Sequence, residues 1–240
     1  MLPHRIKAVF FDAAGTLFTV NGSVGETYAR IAREHGKEVA VADLEAGFRR
    51  SFAMAPPMAF PGAPPDQIHV LEKQWWHNLV QKVFAQLGPF PRFADYFDTL
   101  FSSFAHADAW KLYPETAEIL AALQSRGLRL GIISNFDSRL FGLLDGLGIA
   151  HFFDSVVIST QAGAAKPQAA IFTQALAHHD LRPNEALHIG DSYEADVVGA
   201  QAAGLTPVLV DRRGHDQRTD GYLRVKSLAE ILALVDIFGR

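Results

Sequence analysis

The chain has 240 residues, of which 49% are hydrophobic and 20% charged. That balance fits one or two folded domains and excludes a disordered chain. The lack of cysteine excludes disulfides, a cysteine nucleophile and thiolate metal sites, and a net charge of −4 supplies no basic field for nucleic acid.

Residues 6–11 form a short apolar run that ends at Asp12-Ala13-Ala14-Gly15-Thr16. Apolar on both faces, it predicts a buried parallel strand. From about Val24 to His106 the pattern turns helical. Tyr28, Ile31 and Ala32 share one helical face, with Gly36 at its end. Asp43 is expected to cap a second helix, and Asp66 a third that carries Val70 to Leu87. The proline-rich stretch 56–65 separates these two, and residues 93–104 suggest a fourth helix.

Beyond Pro114 strands and helices alternate. Strands are expected over 128–133, 155–158, 186–189 and 207–210. Helices are expected over 116–125, 137–147, 168–178 and 195–203, with a last one from about Ser227. This predicts an α/β fold: a doubly wound parallel sheet over 1–20 and 107–240, interrupted by an all-helical cap domain at 21–106. Ligands of such sheets bind beyond the carboxyl ends of strands, where the insertion could roof the site. No stretch reaches the roughly 18–20 apolar residues of a bilayer span. The run ending at Asp12 also lacks a signal-peptide cleavage region. The expectation is a cytoplasmic protein with no membrane or nucleic-acid partner.

Four strand ends carry polar groups. Asp12 offers a carboxylate that can attack phosphorus or carbon, or bind magnesium, beside a glycine that permits a tight turn; a simple turn cap is the alternative. Ser134-Asn135 offers a hydroxyl and amides for a phosphoryl oxygen, or the start of a helix. Lys166-Pro167 places an ammonium before a helix with proline at its first position, and a solvated lysine is the alternative. Asp191 and Asp196 share one loop-to-helix segment after Gly190, a density of hard oxygens that suits Mg²⁺ or a helix dipole.

Taken in order, these pieces resemble the four motifs of the haloacid dehalogenase superfamily of phosphohydrolases. The first is Asp12 to Leu17, the second Ile132 to Asn135, the third Lys166-Pro167, and the fourth Gly190-Asp191 through Asp196. The resemblance spans essentially the whole chain. Trp75-Trp76 and Ile133 to Asp137 are similar to a haloacid-dehalogenase-like group also present in animals. The resemblance implies an aspartyl-phosphate on Asp12, with Ser134 and Asn135 holding the transferring group and Thr16 near. It implies that Lys166 stabilises Asp12. It further implies Mg²⁺ at Asp12, Asp191 and the backbone carbonyl of Ala14, with Asp196 holding the lysine or a metal-bound water. The implied substrate is a small phosphorylated metabolite.

One position departs from the pattern. Most phosphatases of the superfamily carry an aspartate two residues after the nucleophile, where this chain has Ala14. A methyl group transfers no proton, and losing a positioned acid/base costs about 10²–10⁴-fold. Four readings follow: a phosphatase acting on good leaving groups or drawing its proton elsewhere, a phosphonatase, a dehalogenase, and a weak phospho-ligand or protein-binding module. The phosphonatase pattern needs a cap lysine, and no lysine lies between Lys37 and Lys73. The dehalogenase pattern has a less acidic fourth motif. Tyr193, Glu194, His69 and His77 are the candidate substitutes for the missing acid. Trp75-Trp76 is expected in the cap core, Arg212-Arg213 in a solvated loop, and residues 52–60 near substrate.

Overall fold

The computed structural model describes residues 5–216, 218 and 221–238. Positions 1–4, 217, 219–220 and 239–240 of the expected core ranges lie outside the described residues. In chain order, β1 (Ala8–Phe11) and β2 (Phe18–Val20) precede four helices, α1 (Val24–Glu34), α2 (Val41–Ala53), α3 (Ile68–Phe84) and α4 (Phe93–Ser103). Then follow β3 (Trp110–Leu112), α5 (Thr116–Ser125), β4 (Arg129–Ser134), α6 (Arg139–Gly146), β5 (Ser155–Ile158), α7 (Ser159–Ala162) and α8 (Ala169–His178). The chain continues through β6 (Ala186–Gly190), a π-helical turn (Tyr193–Val198), α9 (Gly199–Ala202), β7 (Thr206–Val210), β8 (Leu223–Val225) and α10 (Ile231–Phe238).

Six strands form one sheet in the order β5-β4-β1-β6-β7-β8, every neighbouring pair parallel. Counted along the sheet alone, the order is 3-2-1-4-5-6, which puts the reversal of winding between β1 and β6. The apolar strand β1 sits at this centre because helices cover both its faces. Val9 and Phe11 join Leu130, Ile132 and Ile189 in a core with α5, α6 and α10. Ala8 and Phe10, one residue out of phase, join Ile133, Ile171 and Phe172 in a core with α8 and α9. The period of two along a strand produces this split.

Helices α1 to α4 bury a third cluster, including Tyr28, Ile31, Leu44, Leu79, Val83 and Tyr96. A capping box, Ser23 with Glu26, starts α1, a feature worth about 1 kcal/mol. The segment leaves and returns through a two-stranded antiparallel ribbon, with Phe18 opposite Leu112 and Val20 opposite Trp110. Its strands are three residues long, too short to show a period, and so escape sequence reading, as does β8.

Several local expectations are corrected. Asp43 lies inside the first turn of α2, whose N-cap is Ala40, and Asp66 lies in a 3₁₀ turn ahead of α3. Pro167 precedes Gln168, the N-cap of α8, rather than occupying the first helical position. The helix expected over 195–203 opens as the wide π-helical turn, with Ser192 Oγ accepting from Ala195 N. The proline-rich stretch is pinned where Ser159 Oγ and Trp75 Nε1 donate to the carbonyls of Met58 and Pro56. Among the described residues, no helix is long and apolar enough to cross a membrane.

Candidate active site

The carboxyl ends of β1, β4 and β6 meet at one end of the sheet. Asp12 leaves β1, Ser134 ends β4, and Asp191 follows β6. Two glycines let the carboxylates approach. Gly15 has φ +97, and a Cβ there would stand 2.4 Å from Asp191 Oδ2. A Cβ on Gly190 would stand 2.1 Å from Asp196 Cγ, so any larger residue would displace that side chain. Lys166 reaches the same point from the loop after α7. Its backbone is fixed by Asn135, whose Oδ1 accepts from Lys166 N at 2.8 Å and whose Nδ2 donates to Lys166 O at 2.9 Å.

The lysine joins the two sides of the cluster. Its ammonium donates to Asp12 Oδ1 at 2.7 Å and to Asp196 Oδ1 at 2.6 Å. Ser134 Oγ donates to the same Asp12 oxygen at 3.0 Å. Asp196 also accepts from Ser192 N and lies 2.9 Å from His188 Nε2. A carboxylate only accepts here, so His188 carries its proton on Nε2. Burial pushes His188 towards the neutral form even beside Asp196.

Charge is densely packed. Burial alone would lower the Lys166 pKa, but Asp12 and Asp196 outweigh it and raise it. Burial would raise Asp196, and Lys166 with His188 outweighs it to hold that carboxyl below the usual range. Asp12 is pushed up by burial, which the pull of Lys166 offsets only in part. Asp191 is pushed up to about 7, first by burial and then by Asp12 and Asp196. Ligand oxygens of Asp12, Asp191 and Asp196 lie within 4.8 Å of one another. One ammonium faces three carboxylates, and the donors are hard oxygens, so the cluster fits a divalent cation such as Mg²⁺.

Comparison with known proteins bears on this arrangement. A family model for haloacid dehalogenase-like hydrolases matches residues 6–204. The chain belongs to that family. The human haloacid dehalogenase-like hydrolase domain-containing protein 3 is 36% identical over 213 residues, covering 87% of this chain and 84% of that protein. The glyceraldehyde 3-phosphate phosphatase of Methanothermobacter thermautotrophicus is 29% identical, covering 86% of each chain. Among solved structures, the HAD-hydrolase YfnB from Bacillus subtilis, crystallised bound to magnesium, superposes with a TM-score of 0.77 at 19% identity over 97% of this chain and 99% of that one. The structural likeness carries the fold, and the family makes this haloacid dehalogenase-like chain a hydrolase.

A cavity of about 390 Å³ opens on the cluster, and Asp12, Ala14, Ser134, Asn135, Lys166, Asp191 and Asp196 all line it. Thr16 does not: it is fully buried, with its hydroxyl 3.5 Å from Asp191 Oδ1. The side-chain amide of Asn135 is bonded to the backbone of Lys166 and holds the lysine in place. None of the proposed substitutes for the missing acid lines the cavity. His69 and His77 line a separate one, and Tyr193 packs against Tyr222 and Arg218. Trp75 and Trp76 both pack against the helical cluster, as expected, and Trp76 also lines the cavity and donates to Asp137 Oδ2 at 2.6 Å.

Arg212 is half-buried rather than solvated. It donates to Thr16 O at 2.9 Å and to Glu115 Oε1 at 2.6 Å, and its guanidinium lies over Tyr113. It therefore ties down the loop that carries Asp12. Sequence reading missed His188 as a supporting residue and assigned Arg212 to solvent. The one signal for His188 is a polar residue inside the apolar run Ala186-Leu187-His188-Ile189.

Proposed function

We propose that this hydrolase is a Mg²⁺-dependent phosphatase acting on a small phosphorylated metabolite through an aspartyl-phosphate on Asp12. The observation that carries the reading is Lys166, shared between Asp12 and Asp196, with Ser134 on the same Asp12 oxygen. Both hydrogen bonds fall on Oδ1, so they orient the carboxylate and leave Oδ2 free to attack. The phosphatase name of the 29%-identical archaeal relative points the same way.

In the first step an Asp12 oxygen bonds to phosphorus and the ester P–O bond breaks, its electron pair leaving on the alcohol oxygen. In the second, water attacks phosphorus and the P–Asp12 bond breaks, releasing phosphate; one water proton stays on the phosphate and the other passes to solvent, balancing the proton that the departing alkoxide takes from solvent. Ser134 and Lys166 supply hydrogen bonds and positive charge where negative charge develops. Asp12, Asp191 and the Ala14 carbonyl would hold Mg²⁺, which when bound neutralises phosphoryl charge. Asp196, saturated by Lys166, His188 and Ser192, holds the lysine in place. Helices α1 to α4 act as a cap that excludes water from the site.

Ala14 leaves the departing oxygen without a side-chain proton donor on the first-motif loop, so good leaving groups should turn over fastest. The test is Mg²⁺-dependent hydrolysis of acetyl phosphate and p-nitrophenyl phosphate, abolished in Asp12→Asn. No turnover of either by the Mg²⁺-loaded protein would overturn the reading in favour of a binding module.

A further inference from the structure

The cavity over Asp12 has two chemically different walls. The wall contributed by the ribbon and helices α1 to α4 is apolar apart from two indole nitrogens and the Tyr28 hydroxyl. Phe48, Phe52, Trp76, Phe101, Phe104 and Trp110 are among the residues that line it. The nitrogen atoms in this wall are already used: Trp76 Nε1 donates to Asp137, and Trp110 Nε1 to Phe104 O. Among the described residues, the one further cation lining the cavity besides Lys166 is Arg139, and three of its five N–H groups are already bonded. It pairs with Asp137 through two nitrogens at 2.8 and 2.6 Å, donates to Phe101 O, and lies 4.1 Å from the Phe101 ring centre. Among the described residues, the hydroxyl of Tyr28 is the one polar group of this wall without a hydrogen-bond partner.

A substrate must present its phosphate to Asp12 and Lys166 and its remaining body to this wall. A triose, sugar or amino-acid phosphate would bring several hydroxyl, carboxylate or ammonium groups to a surface that offers one phenol and the two remaining N–H groups of Arg139, whose charge Asp137 already balances. Each polar group left unpaired there carries about a tenfold or larger penalty. An apolar body is rewarded instead, by about fourfold for each methylene buried. The cavity falls within the roughly 300–1,000 Å³ of small-molecule sites, enough for a phosphate with a ring or branched chain attached.

We propose that the substrate is a phosphate monoester of an apolar alcohol, with an aromatic or branched hydrocarbon body that carries at most one hydrogen-bonding group, directed at Tyr28. This rests on the phosphatase reading for the phosphate end and on the helical wall alone for the body.

The experiment separates the two. Calorimetry with Mg²⁺ present compares hexylphosphonate and 2-phenylethylphosphonate with methylphosphonate and 2-aminoethylphosphonate, none of which is hydrolysed. Turnover of 2-phenylethyl phosphate is compared with that of glycerol 1-phosphate, since both release primary alkoxides and leaving-group chemistry is held nearly constant. The apolar phosphonates should bind at least about tenfold tighter. Phe52→Ser should shrink that ratio, and because Phe52 is 49% exposed, the variant should fold. Equal affinities, or preference for the aminoethyl compound, would overturn the proposal even if the protein hydrolyses activated esters. Apolar preference in binding with no turnover of any ester would uphold the apolar site and overturn the phosphatase reading instead.

Discussion

The floor and roof of one cavity are built on opposite principles. The floor gathers Asp12, Lys166, Asp191 and Asp196 where strands end, and holds Asp12, Lys166 and Asp196 by hydrogen bonds of 2.6 to 3.0 Å. The roof comes from a helical segment and is nearly all hydrocarbon and aromatic ring. Charge in the floor is tied into place from several directions, so each group depends on the others. The roof works through area and shape, so its residues should be individually replaceable. In the proposed function the floor carries the reaction and the roof the choice of substrate.

Substitutions in the floor should therefore have the larger effects. Asp12→Asn should lower kcat by at least about 10⁴-fold, with an unchanged near-ultraviolet circular dichroism spectrum. Residual activity within tenfold of the parent would break the assignment of this carboxylate. Lys166→Met should lower kcat by about 10²–10³-fold. It should also cost about 3–5 kcal/mol of stability, because Asp12 and Asp196 lose the charge buried between them. Denaturant unfolding would read that loss, and an unchanged midpoint would show that the ion pair is not formed.

Ala14→Asp sharpens the contrast at the boundary of floor and roof. If alanine marks a missing proton donor, the substitution should raise turnover of alkyl phosphates by up to about 10²-fold and of acyl phosphates much less. Equal gains on both classes would defeat the explanation. The smallest effect is expected where roof meets floor. Glu72 of α3 is buried and accepts through Oε1 from Ser138 N, Ser138 Oγ and Thr160 Oγ1. Glu72→Ala should cost about 1–3 kcal/mol by leaving those donors unpaired, read as a lowered thermal midpoint.

Much of this was legible in the sequence for physical reasons. Strands β1, β4, β5, β6 and β7 are apolar runs ending at polar or glycine residues, and their ends carry Asp12, Ser134 and Asp191. The ribbon strands and β8, three residues each, show no period to read. Supporting residues were hidden because their partners lie far away in the chain. Arg212 meets Thr16 across 196 positions, and Glu72 meets Thr160 across 88. Trp76 shows how much helical spacing leaves open: an aromatic at that spacing reads as core, and only the fold reveals that it also borders a cavity.

The account stands most directly on the nucleophile. Acid-quenching the Mg²⁺-loaded protein during turnover of acetyl phosphate and mapping the product by mass spectrometry tests it in one step. The account predicts one added phosphoryl group on the peptide containing Asp12, absent from Asp12→Asn. Steady turnover with no phosphorylated Asp12, or with the group on another residue, would contradict it.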